Sequence, residues 1–156
     1  MKTSVLRFVS DKECLLSLNK CLYVLTRQQG SSMRIKTRHE FEAPVRFVVL
    51  DNLVGISNDN DKLLRFYDLA RVLNEANLGE PRFQYKSWKK ITYVAEASVK
   101  EHGISGVLIA DKTGDIFFLN EANLERLAKD PETVPTPNSE EAENFDFVAK
   151  LIYGHQ

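Results

Sequence analysis

The feature of this sequence that most constrains its fold is a threefold internal repeat. Each copy has a run of the type Val-x-Phe, a short turn, a second apolar run, a tight polar turn and a third apolar run. The first runs begin at Val5, Val45 and Ile91, at spacings of 40 and 46 residues. A repeat of this length indicates that each copy is one supersecondary unit, and that neighbouring units bury a continuous core between them.

The apolar runs within each copy are typical of β-strands. They are short, rich in β-branched and aromatic residues, and bounded by Asp, Asn, Gly and Lys. Their period brackets the roughly 40 to 45 residues of a four-stranded blade in WD repeats. The chain is therefore predicted to be all-β, as a partial WD40 β-propeller of about three four-stranded blades plus the first strand of a fourth.

The predicted organisation is one N-terminal portion of a propeller over residues 1–156. Its blade-like units span about 5–26, 45–69 and 91–120. Residues 63–73 also have apolar side chains near helical spacing, but the repeat requires a strand at the start of this segment. The following "ARVLNEAN" is left free to form a turn of helix.

A polar, acidic segment, residues 129–144, separates the third unit from a predicted outer strand, residues 145–153. This composition cannot bury much apolar surface, so the segment is predicted to be a mobile loop. Gly154 and His155 have the character of a junction between one blade and the next. We therefore expect either a truncated product of a longer gene, which is favoured, or a chain that needs another polypeptide to complete the ring.

The middle unit contains the polar positions that are expected within a WD blade. Tyr67 and Asp68 stand where the repeat usually has Trp-Asp, and His39 stands where it usually has Gly-His, although an arginine replaces that glycine. We expect His39, Ser57, Asp61 and the aromatic ring to hydrogen-bond across strands and fix their register.

The run "ADKTGD", residues 110–115, is predicted to contain a tight hairpin turn. In it Gly114 supplies a positive φ, and the flanking carboxylates of Asp111 and Asp115 shape the turn. The alternative is that the two carboxylates act as general acid and base. The turn is favoured, because the same residue types are common in hairpins.

A basic segment rich in aromatic residues, "PRFQYKSWKK", is the best candidate for contacts with RNA or a partner. Its cations could clasp a phosphate backbone while its rings stack or pack. The favoured alternative is an outer strand with its aromatic rings inward and its lysines solvated. The candidate contact residues are Arg82, Lys86, Lys89 and Lys90.

Composition and motifs exclude several other functions. Lys and Arg number 21 against 22 Asp and Glu, so any nucleic-acid role is local or shared with a partner. Cys14 and Cys21 are predicted to be reduced thiols of an intracellular protein, and no stretch approaches the roughly 20 apolar residues of a membrane span. The sequence has no Gly-rich phosphate loop, Cys-x-x-Cys, Gly-x-Ser-x-Gly or histidine spacing typical of a metal site, so neither a cofactor nor a metal is expected.

Three stretches resemble one particular family, the WD-repeat, non-catalytic subunit of the eukaryotic tRNA (guanine-N7)-methyltransferase. They are "APVRFVVLDNLVGISNDNDKLLRFYDL", "VLIADKTGDIFFL" and the terminal "LIYGHQ". The run "ADKTGD" is the most specific, since family members have a similar run in the corresponding blade. The similarity covers about residues 5–156, as the first part of a propeller of seven blades.

The resemblance implies a scaffold without catalytic activity of its own. In this family the methyl transfer and the S-adenosylmethionine site belong to a separate catalytic subunit, which the propeller stabilises while it helps to hold tRNA. A location in the nucleus is expected, with the cytoplasm as an additional location. A generic WD-repeat module that binds other proteins is the competing hypothesis.

Overall fold

The computed structural model describes residues 5–30, 32–59 and 61–129. Of Lys100 only the backbone is described. The predicted outer strand 145–153, Gly154 and His155 lie outside these ranges, as does the predicted loop 129–144 beyond its first residue. The described ranges include all three repeat units except residue 60 of the second.

The chain forms three antiparallel sheets that follow one another in sequence order. The first sheet contains β1 (Val5–Phe8), β2 (Glu13–Leu18), β3 (Cys21–Arg27) and β4 (Met33–Glu40). The second contains β5 (Val45–Leu50), β6 (Leu53–Asn58), β7 (Leu63–Asp68) and β8 (Phe83–Lys86). Within the described ranges, the third contains β9 (Ile91–Glu96), β10 (Val107–Asp111) and β11 (Ile116–Leu119).

The predicted all-β class is confirmed, and each sheet begins at the residue where a repeat unit begins. The first two sheets extend further than the predicted units, to Glu40 and Lys86, because β4 and β8 add an outer strand to each. Strand β4 is mostly exposed, as expected for its alternating basic sequence. The short runs and turns within each unit therefore build one four-stranded sheet in the first two copies.

Residues 63–74 form a strand and then a short helix, as the repeat predicts. Leu64 and Phe66 in β7 are fully buried, two residues apart on one face of the strand. The helix α1 (Leu69–Asn74) follows directly and buries Val72 and Leu73. Burial in the sheet thus overrides the helical spacing of the apolar side chains in the first half of this segment.

A second helix, α2 (Glu121–Lys129), was not predicted from the sequence. The side-chain oxygen of Asn120 accepts a hydrogen bond of 2.8 Å from the backbone N–H of Asn123, which satisfies one free donor of the first turn. Leu124 is buried and Leu127 partly buried against the core between the second and third sheets. Only two leucines of this helix pack on the core. Two apolar positions are too few to reveal a helical periodicity in the sequence.

Both faces of the second sheet are buried against its neighbours. One face meets the first sheet and the other meets the third, which explains the near-continuous apolar sequences of β5 and β6. The core between the first and second sheets includes Leu15, Leu22, Val24, Val45, Phe47, Val49, Val54 and Ile56. The core between the second and third includes Val48, Leu50, Leu64, Phe66, Ile91, Val107, Ile109 and Leu119.

The first strands of the sheets converge on one side of the molecule. Strand β5 packs against β9, and β2 against β5. The guanidinium Nη2 of Arg7, in β1, lies 3.1 Å from the carboxylate Oε1 of Glu96, in β9, so the first and third sheets also meet here. This convergence is the arrangement of blades around a central axis.

The far face of the first sheet has no neighbour among the described residues. Leu6, Phe8, Leu18 and Ile35 are exposed there by 43 to 56%. Their side chains occupy the face opposite to Leu15 and Leu22, which pack on the second sheet. The first sheet therefore has an apolar surface on both faces, as has a propeller blade that packs between two neighbouring blades.

Candidate functional site

A pocket opens between the second and third sheets, at the end where β5 and β9 begin. Its volume is about 360 Å³, enough for a small anionic group and its water. It is lined by Arg46, Asp59, Lys90, Ile91, Thr92 and Lys112. Three of these side chains carry a positive charge and one a negative charge, so the lining has a net charge of +2.

Arg46 joins the two sheets at the pocket. It is the second residue of β5, and its Nη1 donates a hydrogen bond of 2.9 Å to the carbonyl of Thr92. Its Nη2 donates one of 3.0 Å to the carbonyl of Ile91. The guanidinium Nε is buried and has no hydrogen-bond partner in the described part of the chain. Arg46 is therefore held in place by two bonds while one of its donors stays unsatisfied.

Lys90 and Lys112 come from two different loops on the other side of the pocket. Lys90 directly precedes β9, and Lys112 directly follows β10. The backbone N–H of Lys112 donates a hydrogen bond of 2.9 Å to the carbonyl of Lys90, which fixes the two residues side by side. Both side chains are exposed, and neither forms an ion pair with another described residue.

The hairpin turn predicted for "ADKTGD" is present, and it positions Lys112. The Oδ1 of Asp111 accepts hydrogen bonds from Thr113 Oγ1 at 2.6 Å, Thr113 N at 2.9 Å and Asp115 N at 3.2 Å. Gly114 has the predicted positive φ, at +90°. The turn thus holds its shape through one carboxylate that accepts from three donors.

These bonds also bear on the alternative that Asp111 and Asp115 form an acid and base pair. The hydroxyl of Thr113 is the main cause that lowers the pKa of Asp111, and backbone N–H groups of the turn lower it further. A carboxylate held ionised in this way is a poor general acid near neutral pH. The arrangement therefore favours the structural role.

The basic segment 81–90 is divided by the structure. In β8 the aromatic rings of Phe83 and Tyr85 are buried and Lys86 is exposed, as the outer-strand alternative expects. Trp88 departs from that expectation, because its side chain lies in the loop after β8 and is 86% exposed. The segment therefore combines a buried strand with an exposed aromatic loop.

Only part of this segment reaches the pocket. Arg82 lies at the opposite end of β8, where its Nη1 is 3.1 Å from the Asp68 carboxylate and its guanidinium stacks over Phe83. Lys89 is exposed next to Lys90 but does not line the pocket. Of the four basic residues that the sequence singled out, Lys90 is the one that contributes to it.

Sequence reasoning missed the other two cations of the pocket, Arg46 and Lys112. They are far from Lys90 in the sequence and belong to runs that read as an ordinary strand and an ordinary turn. A signal was present, since Lys112 lies inside the "ADKTGD" run that carries the family resemblance. The sequence predicted only the bounds of the blade-like units, and these bounds do not place the three cations together.

The hydrogen-bonded link predicted among His39, Ser57, Asp61 and the aromatic ring does not form. The Nε2 of His39 instead lies 2.8 Å from the carbonyl oxygen of Val72, in α1. His39 belongs to the first sheet and the others to the second, so the predicted link would have had to cross between sheets. This prediction assigned four residues to one network on spacing alone.

The remaining members of the predicted link have local contacts. Asp61 Oδ1 accepts hydrogen bonds from the backbone N–H groups of Lys62 and Leu63 at 2.7 and 3.1 Å, and so caps the turn before β7. The hydroxyl of Ser57 lies 3.5 Å from Arg46 Nη2. Tyr67 is buried, and burial raises the pKa of its hydroxyl.

Other sites that the sequence considered can now be located. Cys14 and Cys21 are both free thiols, and burial raises the pKa of Cys14. The described residues contain no cluster of three or more His, Cys, Asp or Glu side chains suited to a metal ion. None of the described helices has the length and apolar character needed to cross a membrane.

Comparison with known proteins supports the fold. No family model and no curated protein matches the chain. It is similar to BBS1N, a β-propeller, in a crystal structure of BBS1N in complex with ARL6DN, soaked with mercury. The similarity has a TM-score of 0.53 at 15% sequence identity and covers 76% of this chain and 36% of that chain. The chain therefore has the fold of part of a β-propeller.

Proposed function

We propose that the chain is a non-catalytic scaffold subunit of a tRNA (guanine-N7)-methyltransferase complex. In this proposal a separate catalytic subunit binds S-adenosylmethionine and transfers the methyl group. The propeller stabilises that subunit as a heterodimer and helps to hold the tRNA, in the nucleus and without contact with a membrane.

The observation that carries this proposal is the hairpin at Asp111. The run "ADKTGD" is the most specific part of the family resemblance, and its residues have interdependent contacts in the structure. Asp111 and Thr113 set the turn, Gly114 allows its backbone conformation, and Lys112 projects from it at a basic pocket. The run therefore has a defined structure of its own, and its weight as a family marker rests on its resemblance to the corresponding run of the family.

The surface charge agrees with a role that is shared with a partner. The whole chain has a formal net charge of −1, and three of its 21 positive side chains line the pocket. Such a chain adds a few phosphate contacts to a complex rather than binding RNA strongly by itself. A scaffold that assists a catalytic subunit has this character.

The proposal is tested by removing the gene from the source cells and measuring N7-methylguanosine in bulk tRNA by nucleoside mass spectrometry. We expect this nucleoside to be lost and to return when the intact gene is supplied again. Other modified nucleosides in the same digest serve as the control and should not change. Normal N7-methylguanosine in the deletion strain would refute the proposal.

A generic protein-binding propeller is the second candidate. It is favoured by the similarity to BBS1N, which was crystallised with a protein partner, ARL6DN. Affinity purification from the source cells separates the two candidates. Recovery of a methyltransferase in stoichiometric amount supports the first, and recovery of other proteins without a methyltransferase supports the second.

A further inference from the structure

The pocket between the second and third sheets has properties that its role as a joint between sheets leaves unexplained. Joining β5 to β9 requires only the two hydrogen bonds that Arg46 donates to carbonyl groups. The side chains of Lys90 and Lys112 donate no such bond to another described residue, yet they bring two more positive charges to the same cavity. Several positive charges at one site create a positive potential there, which favours the binding of an anion.

We propose that this pocket binds a phosphate group of an RNA backbone. The inference deepens the proposed function, on which it rests for the identification of that RNA as tRNA. Its physical basis is the lining charge of +2, a guanidinium immobilised by two hydrogen bonds, and an exposed aromatic side chain in the adjoining loop.

Arg46 is prepared to receive an anionic oxygen. Its two hydrogen bonds to backbone carbonyls hold the guanidinium in one orientation before any ligand arrives. The side chain of Arg46 lines the pocket, and each of its two terminal nitrogens carries a second N–H besides the one bonded to a carbonyl. A hydrogen bond from such a charged group to a phosphate oxygen is of the strong kind.

Lys90 and Lys112 supply mobile charges around this fixed group. The backbones of Lys90 and Lys112 are joined by a hydrogen bond, and the single hydroxyl proton of Thr92 is shared between the carbonyls of Ala110 and Asp111, each 3.2 Å away, which links the same two strands. The ammonium groups remain exposed on flexible side chains. A rigid floor with two adjustable cations suits a phosphate, whose oxygens accept from several directions.

Asp59 is the opposing group in the lining. Its exposed carboxylate offsets one of the three positive charges and repels an anion that approaches from its side. The net charge still favours an anion. Asp59 therefore limits the affinity of the pocket, and its removal should strengthen binding.

The surroundings favour RNA over a free phosphate. Trp88 is 86% exposed and lies two residues before Lys90, with Lys86 and Lys89 exposed in the same stretch. A large exposed aromatic ring is unusual on a protein surface, and a ring interleaved with cations is the means by which proteins stack bases while they bind the backbone. A free phosphate has no base that could stack on the ring of Trp88.

The test compares variants of the full-length protein, purified with its native partners, in binding to a fluorescein-labelled tRNA transcript at several salt concentrations. We expect Lys90→Gln/Lys112→Gln to weaken binding about tenfold and to lower the slope of log affinity against log salt by about 1 to 2. Trp88→Ala should weaken binding as well, and Asp59→Asn should strengthen it. These two lysines are exposed, so their replacement does not endanger the fold.

Lys12→Gln/Arg34→Gln is the matched control, since it removes two exposed cations away from the pocket, one in the loop between β1 and β2 and one in β4. Equal weakening by both double variants would overturn the inference, because only total charge would then matter. Unchanged RNA affinity in the pocket variant would overturn it too. If the pocket variant no longer binds inorganic phosphate or a phosphopeptide but keeps its affinity for RNA, the pocket serves another ligand. That result would also refute the inference that it binds RNA.

The outcomes separate this inference from the proposed function. If deletion of the gene abolishes N7-methylguanosine while the pocket variant binds tRNA normally, the scaffold function stands and the pocket inference fails. If the pocket variant binds tRNA weakly while deletion leaves N7-methylguanosine intact, the RNA site stands and the methyltransferase assignment fails.

Discussion

The imidazole Nε2 of His39 lies 2.8 Å from the carbonyl oxygen of Val72. His39 is in β4, the outer strand of the first sheet, and Val72 is in α1, the short helix that follows strand β7 of the second sheet. A carbonyl only accepts hydrogen bonds, so Nε2 carries the proton in this contact. The Val72 carbonyl is among the last four of its helix, which have no partner within the helix, and His39 therefore satisfies a group that would otherwise be buried and unpaired.

Replacing His39 by leucine should destabilise the protein, because the Val72 carbonyl loses its partner while it stays buried. We expect the free energy of unfolding to fall by about 1 to 3 kcal/mol. Urea denaturation followed by circular dichroism measures the change. Arg38→Gln, on the opposite and exposed face of the same strand, is the control and should change stability by less than about 0.5 kcal/mol. Equal effects of the two variants would contradict the role assigned to His39.

Thr113→Val should destabilise the protein in a manner that depends on pH. The hydroxyl of Thr113 is the main cause of the lowered pKa of Asp111. A carboxylate with a lowered folded-state pKa stabilises the protein above its unfolded pKa of about 3.9, and this contribution is lost as the pH falls through the folded pKa. The stability difference between wild type and variant should therefore be constant above about pH 4 and shrink below it. Urea denaturation between pH 2.5 and 7 tests this, and a difference that is independent of pH would be evidence against it.

Tyr85→Phe should make the protein less sensitive to alkaline pH. Burial, and then the negative charge of Asp111, raise the pKa of Tyr85 to about 12. A raised folded-state pKa means that the stabilisation is complete below the unfolded value of about 10 and is lost as the pH rises to about 12. The wild type should lose stability over this range more steeply than the variant. Tyr93→Phe, whose ring is 61% exposed, is the control and should follow the wild type.

Gly106→Ala should strain the third sheet. A Cβ at this position would lie 2.2 Å from the Cζ of Phe118 and 2.9 Å from the backbone oxygen of Leu119. Overpacking of this kind costs about 1 to 3 kcal/mol or more, which thermal denaturation would detect. Adding Phe118→Leu to the variant should recover part of the loss, because it removes the nearer contact. No destabilisation by Gly106→Ala would show that the close approach is relieved by a small shift of the ring.

The strands and turns were largely predictable because their signals are local. The period-2 burial of Leu64 and Phe66 and the positive φ of Gly114 depend on neighbours within a few residues. The helix α2 was missed because its two apolar positions are too few to distinguish a helix from a turn in the sequence. His39 was placed in the wrong network, because spacing along the chain does not state which sheet a side chain faces.

The sequence by itself determined the repeat, the class of the fold and the hairpin at Asp111, since apolar periodicity and turn chemistry are written in consecutive residues. Only the tertiary structure decided that Arg46, Lys90 and Lys112 share one pocket. Three residues from separate strands and loops meet there because the second and third sheets pack face to face. That packing depends on how whole sheets fit together, and no local pattern encodes it.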